Sequence, residues 1–207
     1  MVRLIPAPHI PRVHAITDDR VLSDPDIEST AQNILDRGAA VHLRAASLGA
    51  RQIAELAGKL SSSDVSLFVN DRVDIAASFK TAGIHLPSSG IPIARARELV
   101  GPAVAIGKST HSPAEAAKAL ASGADYVFLG PIWETTSHPG RDGLGPMVLE
   151  VAARFGRVIA IGGIDAIRSK ICADSGAYGV AAISGIWQHA DPGRVVADML
   201  LSFTNND

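Results

Sequence analysis

Short apolar runs rich in Val, Ile, Leu and Ala alternate along this chain with longer segments in which apolar residues return every three or four positions. Runs of the first kind read as buried strands, and segments of the second kind as helices with one apolar face. The pattern predicts strands at Val13–Ile16, Ala40–Leu43, Leu67–Val69, Gly83–Leu86, Ala103–Ile106, Tyr126–Leu129, Val158–Ile161 and Gly179–Ile183. Helices are predicted near Ile27–Arg37, Ala50–Leu60, Arg72–Thr81, Ile93–Leu99, Pro113–Ser122, Met147–Phe155, Asp165–Asp174 and Pro192–Leu201.

The junctions carry their own signals. Ser112 before Pro113, with Glu115 in the first turn, and Asp191 before Pro192 are helix starts. Gly38, Gly83, Gly123 and Gly176 stand where a chain leaving a helix turns left-handed. Parallel strands joined by right-handed helical crossovers close at eight units into a (β/α)8 barrel, the expected architecture. The rival is an open doubly wound sheet, but no strand carries the Pro or charge that marks an edge. Residues 13–203 form the expected barrel and 1–12 an N-terminal extension, with no linker between domains.

Two junctions stand out. Val158-Ile-Ala-Ile-Gly162-Gly163-Ile164 and Gly179-Val-Ala-Ala-Ile183-Ser184-Gly185 each end an apolar run in small residues just before a helical pattern. Backbone N–H groups unobstructed by side chains, at neighbouring strand ends, describe a phosphate cradle. The longest irregular stretch, Pro131–Pro146, follows the sixth strand and reads as a mobile lid over the same face.

Composition narrows the partners. The 207 residues are 47% hydrophobic and 19% charged with a net charge of −2, so the chain has a core and lacks the basic footprint of a nucleic-acid or acidic-membrane binder. The N-terminus is too short in apolar residues and too rich in Pro for a signal peptide, and no run reaches membrane-span length. A cytoplasmic protein acting on small molecules is expected. The single cysteine, Cys172, lies in a helical pattern and reads as a buried structural thiol.

On a barrel, chemistry belongs to polar residues at the C-terminal strand ends. These are Thr17 and Asp18, His42 and Arg44, Asn70 and Asp71, His85 and Ser88, Ser109, Glu134 to His138, the glycine turns and Ser184. His42 and His85 alternate with apolar neighbours and read as inward core histidines held by a backbone partner. Arg44 places a fixed cation at the mouth, suited to phosphate or carboxylate. Asn70-Asp71 reads as a helix cap. Ser109 either contacts a substrate or caps the chain entering the helix at Pro113. His85, His111 and His138 lack metal-ligand spacing, so no metal site is expected.

Taken in order, these segments resemble one family. They are His14-Ala-Ile-Thr-Asp18, Arg44, Asn70-Asp-Arg-Val-Asp74, Gly107-Lys-Ser-Thr-His-Ser112, Gly123-Ala-Asp-Tyr-Val127, Gly130-Pro-Ile132, Ile161-Gly-Gly-Ile164 and Val180-Ala-Ala-Ile-Ser184. Together they are similar to the thiamine phosphate synthase/TenI superfamily from about Val13 to Leu200. The resemblance implies the barrel, a thiazole phosphate ligand and a homodimer.

It also implies one of two chemistries. Synthases join a pyrimidine diphosphate to a thiazole phosphate with Mg²⁺, held by an Asp matching Asp71 and a second Asp after the fourth strand. Here that second motif reads Pro87-Ser-Ser-Gly90, and the strand-two Arg-Glu-Lys motif reads Arg44-Ala-Ala46, so an Asp and a Lys are missing. The lid motif Thr-x-Thr-Lys reads Thr135-Thr-Ser137-His138. The losses fall on the diphosphate side, where cations matter most. The expected activity is therefore that of the TenI branch, a thiazole tautomerase needing no cofactor. Its catalytic histidine position holds Pro131, so His138 and Glu134 become the expected acid/base groups. Arg44, Ser109, Thr135, Ser137, Gly162, Gly163, Ile183 and Ser184 are the expected substrate contacts. The alternatives are a synthase with an altered metal site, Asp71 being its remaining Mg²⁺ ligand, and a non-catalytic thiazole-phosphate-binding regulatory protein.

Overall fold

The computed structural model describes residues 7–61, 66–135, 140 and 142–204. Eight parallel strands close on themselves in sequence order: β1 Val13–Ile16, β2 Ala40–Leu43, β3 Leu67–Asn70, β4 Gly83–Leu86, β5 Ala105–Thr110, β6 Tyr126–Leu129, β7 Val158–Ile161 and β8 Gly179–Ala182. β1 pairs with both β2 and β8, so no edge remains and the open-sheet alternative is excluded. Helices cover the outside, as the pattern of one apolar face per helix requires.

The strand period of two separates the core into two layers. Outward residues such as Val13, Val41, Leu43, Val69, Ile84, Ile106, Val127, Leu129, Val158 and Val180 pack beneath the helices. Inward residues include Ile16, Ala40, Phe68, Ala105, Tyr126, Phe128, Ile159 and Ala181, joined by His14, His42 and His85. Small inward residues make room for large ones. A Cβ on Gly83 would lie 2.2 Å from the Phe68 ring, and one on Gly107 would lie 2.1 Å from Cζ of Tyr126. Gly83 is therefore a strand residue fixed by packing, whereas Gly38, Gly123 and Gly176 do adopt the left-handed conformation after helices, with φ of 83°, 95° and 86°.

Several boundaries differ from the sequence expectation. β5 begins two residues later and runs to Thr110, because Lys108 and Thr110 pair with Leu86 and Leu129 despite their polarity. Ser109 thus sits on the strand, and the cap of the following helix is Ser112, which accepts from Glu115 N at 3.2 Å. Neither Asn70 nor Asp71 caps a helix. Asn70 ends β3, Asp71 takes a left-handed φ of 65°, and the next helix, Val73–Ser78, has no side-chain cap.

Two four-residue helices, Asp19–Leu22 and Ser184–Trp187, are too short to leave a periodic pattern. The stretch after β6 is anchored at both described ends. Ile132 N and Trp133 N donate to Ile161 O and Gly162 O, and Leu144 N and Gly145 N return to Pro131 O and Ile132 O. Residues 136–139 and 141 lie outside the described residues.

Candidate active site

At the C-terminal strand ends a cavity of about 290 Å³ opens, close to the lower end of the size usual for small-molecule sites. Its wall contains Arg44, Asn70, Asp71, His85, Ser109, His111 and Thr135 together with Gly162, Gly163, Ile183 and Ser184. A larger, shallower groove of about 760 Å³ lies outside, between helices 166–174 and 192–201, away from the strand ends where barrel chemistry is built.

Arg44 follows β2 and is held from two sides. Thr17, buried at the end of β1, accepts from Arg44 N at 2.9 Å, and its hydroxyl lies 2.9 Å from Arg44 O. Asp19 accepts from Ala46 N at 3.0 Å and Ser47 N at 3.1 Å, fixing the loop beyond, and these backbone donors, Ser47 foremost, hold its carboxyl below the ordinary value. Asp18 caps the helix at 19–22 by accepting from Val21 N. Of the residues read from sequence at the mouth, Thr17 therefore serves the backbone that carries Arg44 and Asp18 serves its own short helix.

Asp71 faces the same mouth. Burial pushes its carboxyl above the ordinary value and the Arg44 guanidinium pulls it back. The pair offers a cation and an acceptor side by side. Asp71 is the carboxylate on the cavity wall, and the described residues contain no cluster of three or more His, Cys, Asp or Glu able to hold a metal. Such a donor set does not cage a resident cation. It does fit a hard ion that arrives already coordinated by substrate phosphates.

Beneath the mouth two rows of hydrogen bonds run through the barrel interior. In the first, His14 Nε2 lies 2.9 Å from Pro11 O, His14 Nδ1 lies 2.8 Å from His42 Nε2, and His42 Nδ1 lies 2.9 Å from Oδ1 of Asn70. In the second, His85 Nδ1 is 3.2 Å from the Tyr126 hydroxyl and His85 Nε2 is 2.9 Å from Ser109 Oγ. Burial pushes all three histidines down, His42 to about 4, and pushes Tyr126 up. His42 and His85 do lie buried inside the barrel, but their rings bond to His14, Asn70, Tyr126 and Ser109, side chains in place of the expected backbone partner. His14 escaped sequence reasoning because a histidine after one valine in a four-residue strand gives no pattern.

The opposite arc carries the two small-residue turns. Gly162 and Gly163 have φ of 99° and 66°, and their missing side chains admit the chain after β6. A Cβ on Gly162 would lie 2.6 Å from Pro131 Cβ, and one on Gly163 would lie 2.9 Å from Trp133 Cβ. Arg168 locks this turn, donating to Gly163 O at 2.6 Å while its guanidinium lies over the Trp133 ring. In the short helix after β8, a Cβ at Gly185 would lie 2.0 Å from Ile164 O, so the two turns nest against each other.

The cavity thus joins Arg44, Ser109, Thr135, Gly162, Gly163, Ile183 and Ser184. Glu134 is exposed and is not on its wall. His138 and Ser137 lie outside the described residues. Pro131, where a TenI histidine is expected, is buried on the wall. Sequence reasoning passed over His111, which also lines the cavity with Nδ1 2.8 Å from Gly130 O, leaving Nε2 as its second polar atom. In the sequence it figured only within the Gly107–Ser112 motif and as a histidine without metal-ligand spacing, in a segment read as loop.

Comparison with known proteins decides the family. A profile described as thiamine monophosphate synthase matches residues 13–186. The chain belongs to this family. A thiamine-phosphate synthase of Gloeobacter violaceus is 40% identical over 168 residues, which are 76% of this chain and 48% of that protein. One from Mycobacterium sp. is 38% identical over 178 residues, 81% of this chain and 78% of that protein. The chain therefore spans about half the length of the Gloeobacter violaceus protein and less than half of the similar synthases of Nostoc sp. and Synechocystis sp.. Thiamine phosphate pyrophosphorylase from Pyrococcus furiosus superposes with a TM-score of 0.74 at 24% identity, covering 94% of this chain and 96% of the other, a likeness of fold. These relatives place the family in thiamine biosynthesis. They favour the synthase alternative over the tautomerase expected from sequence.

Proposed function

We propose that this family member is a thiamine phosphate synthase, joining a pyrimidine diphosphate to a thiazole phosphate. The observation that carries the reading is one cavity with two different polar arcs. Arg44, Asp71 and Ser109 stand on the β2–β5 side, and the Gly162, Gly163, Ile183 and Ser184 backbone stands on the β7–β8 side. Two phosphorylated half-substrates need such a divided site. Relatives named thiamine-phosphate synthase add support.

In this reading the glycine turns hold the thiazole phosphate through main-chain donors, in a turn that side chains at Gly162 or Gly163 would break by meeting Pro131 and Trp133. The thiazole ring nitrogen then attacks the pyrimidine methylene, and its C–O bond to diphosphate breaks. Arg44 neutralises charge gathering on the departing diphosphate, an interaction stronger in the transition state than in the bound substrate. Asp71 would hold a Mg²⁺ carried by the diphosphate, and that ion would supply further charge neutralisation. No other cofactor is proposed.

The test is formation of thiamine phosphate and inorganic diphosphate from the two half-substrates, with and without Mg²⁺. Product formation supports the proposal, and bound but unreacted substrates overturn it. Arg44→Ala should lower kcat/KM by 10²-fold or more, on the order of 3 kcal/mol, because a charged donor is lost from a partly enclosed site.

A second reading keeps a specific observation. Pro87 and Ser88 line the cavity where the resemblance implies a second Asp, and Ala45 and Ala46 follow Arg44 where it implies a Lys. A metal-free thiazole tautomerase needs neither. An NMR time course with the non-aromatic thiazole carboxylate phosphate separates the two, since only the tautomerase speeds its aromatisation without pyrimidine diphosphate. If proton transfer is found, His111 joins His138 and Glu134 as a residue to change.

A further inference from the structure

We propose that Tyr126 and His85 are positioning residues that commit the Ser109 hydroxyl to donating, not accepting, a hydrogen bond into the cavity. Tyr126 is fully buried, its ring lying where a Cβ on Gly107 would stand, and its hydroxyl is 3.2 Å from Nδ1 of His85. That nitrogen is the acceptor the structure offers the phenolic hydrogen. The hydroxyl therefore donates to Nδ1, and the neutral His85 ring carries its hydrogen on Nε2. Nε2–H in turn donates to Ser109 Oγ at 2.9 Å. Serine has one hydrogen, and with its oxygen already accepting from His85 that hydrogen is free for a ligand.

The reversed row leaves a hydrogen stranded. Ser109 would donate to Nε2 and Nδ1–H to the tyrosine oxygen, and the phenolic hydrogen would face a packed interior. An unsatisfied buried donor disfavours that row by roughly five- to a hundred-fold. The ring is fixed against both rotation and protonation. Phe128 stacks on it at 4.0 Å between centroids, and His42 meets it edge-on. Burial, with His42, His14 and Lys108 around it, disfavours the imidazolium.

A committed donor selects its ligand atom. Ser109 shares its arc of the mouth with Arg44 and Asp71, so its target is an acceptor without a hydrogen, such as a diphosphate oxygen or a pyrimidine ring nitrogen. This deepens the synthase reading and rests on it for the substrate, but the direction of the row does not. The row also links an interior aromatic residue to the wall of the site without any contact between that residue and ligand.

Two measurements test it. In ligand-free protein labelled with ¹⁵N, the ring nitrogens of His85 report the tautomer. The Nε2–H form is expected, and the Nδ1–H form or an imidazolium overturns the proposal. In a double-mutant cycle, calorimetry follows binding of the pyrimidine diphosphate to Tyr126→Phe, Ser109→Ala and the double variant. Tyr126→Phe is expected to weaken binding about three- to tenfold, Ser109→Ala more, and the double variant no more than Ser109→Ala alone. Losses that simply multiply would show that Tyr126 acts through the general packing of the barrel, and would overturn the proposal. If the wild type does not bind the diphosphate at all, the synthase reading fails, and the tautomer spectra alone decide the direction of the row.

Discussion

His42 shows how a single buried side chain ties stability to pH. Enclosed by His14, Phe68 and Phe128, it is driven down to about 4 by loss of water, partly offset by its bond to Asn70. In the unfolded chain an ordinary histidine titrates near 6.5. Between these values the unfolded state binds more protons, so stability is full above about pH 6.5 and falls as pH drops toward 4. For His42 alone the loss is on the order of 3 kcal/mol, with His14 and His85 lowered in the same direction. Urea unfolding midpoints should decline across that window, and His42→Gln should make the decline shallower. Cys172 is the quiet counterpart. Its thiol is buried and pushed up to about 12, so it takes no part in chemistry at neutral pH.

Strand ends and the turns after them set the site's geometry. The turn after β7 needs left-handed backbone at Gly162 and has no room for a methyl group beside Pro131. Gly162→Ala should cost about 1–3 kcal/mol from backbone strain alone and should abolish measurable binding of the thiazole phosphate by calorimetry. The loop after β2 depends on a neighbour. Asp19 reaches across to Ala46 and Ser47, so Asp19→Ala should release the backbone behind Arg44. Its expected effect is a several-fold rise in KM for the diphosphate substrate with little change in melting temperature, since Asp19 sits at the surface. A KM unchanged from wild type would show that Thr17 alone holds Arg44 in place.

At the scale of the whole molecule, the mouth and the base of the barrel divide function from stability. Residues before β1 close the base. Ile10 is buried, Tyr178 donates to Ile10 O at 2.7 Å, Val180 N donates to Arg12 O at 2.8 Å, and the Arg12 guanidinium lies over the Tyr178 ring. Tyr178→Phe should therefore lower the unfolding free energy by about 1 kcal/mol in urea titrations and leave kcat unaltered. No helix among the described residues is long and apolar enough to cross a membrane.

The sequence alone determined the number, order and approximate limits of the strands, because strands buried on both faces leave short apolar runs and each junction needs its own glycine, proline or cap. It also marked the two small-residue turns, since left-handed backbone at Gly162 and the close approach of Gly185 to Ile164 require glycine there. Only the tertiary structure decided which polar residues share a cavity. Ser109 reads as loop until the barrel pairs it with Phe128 on β6, and the cavity wall takes in Thr135 but not its neighbour Glu134. His14, His85 and Tyr126 lie far apart in the chain, and no local pattern marks them as partners. Their hydrogen-bond rows exist because closing the sheet turns alternate residues of every strand toward one axis, where polar groups deprived of water must satisfy one another.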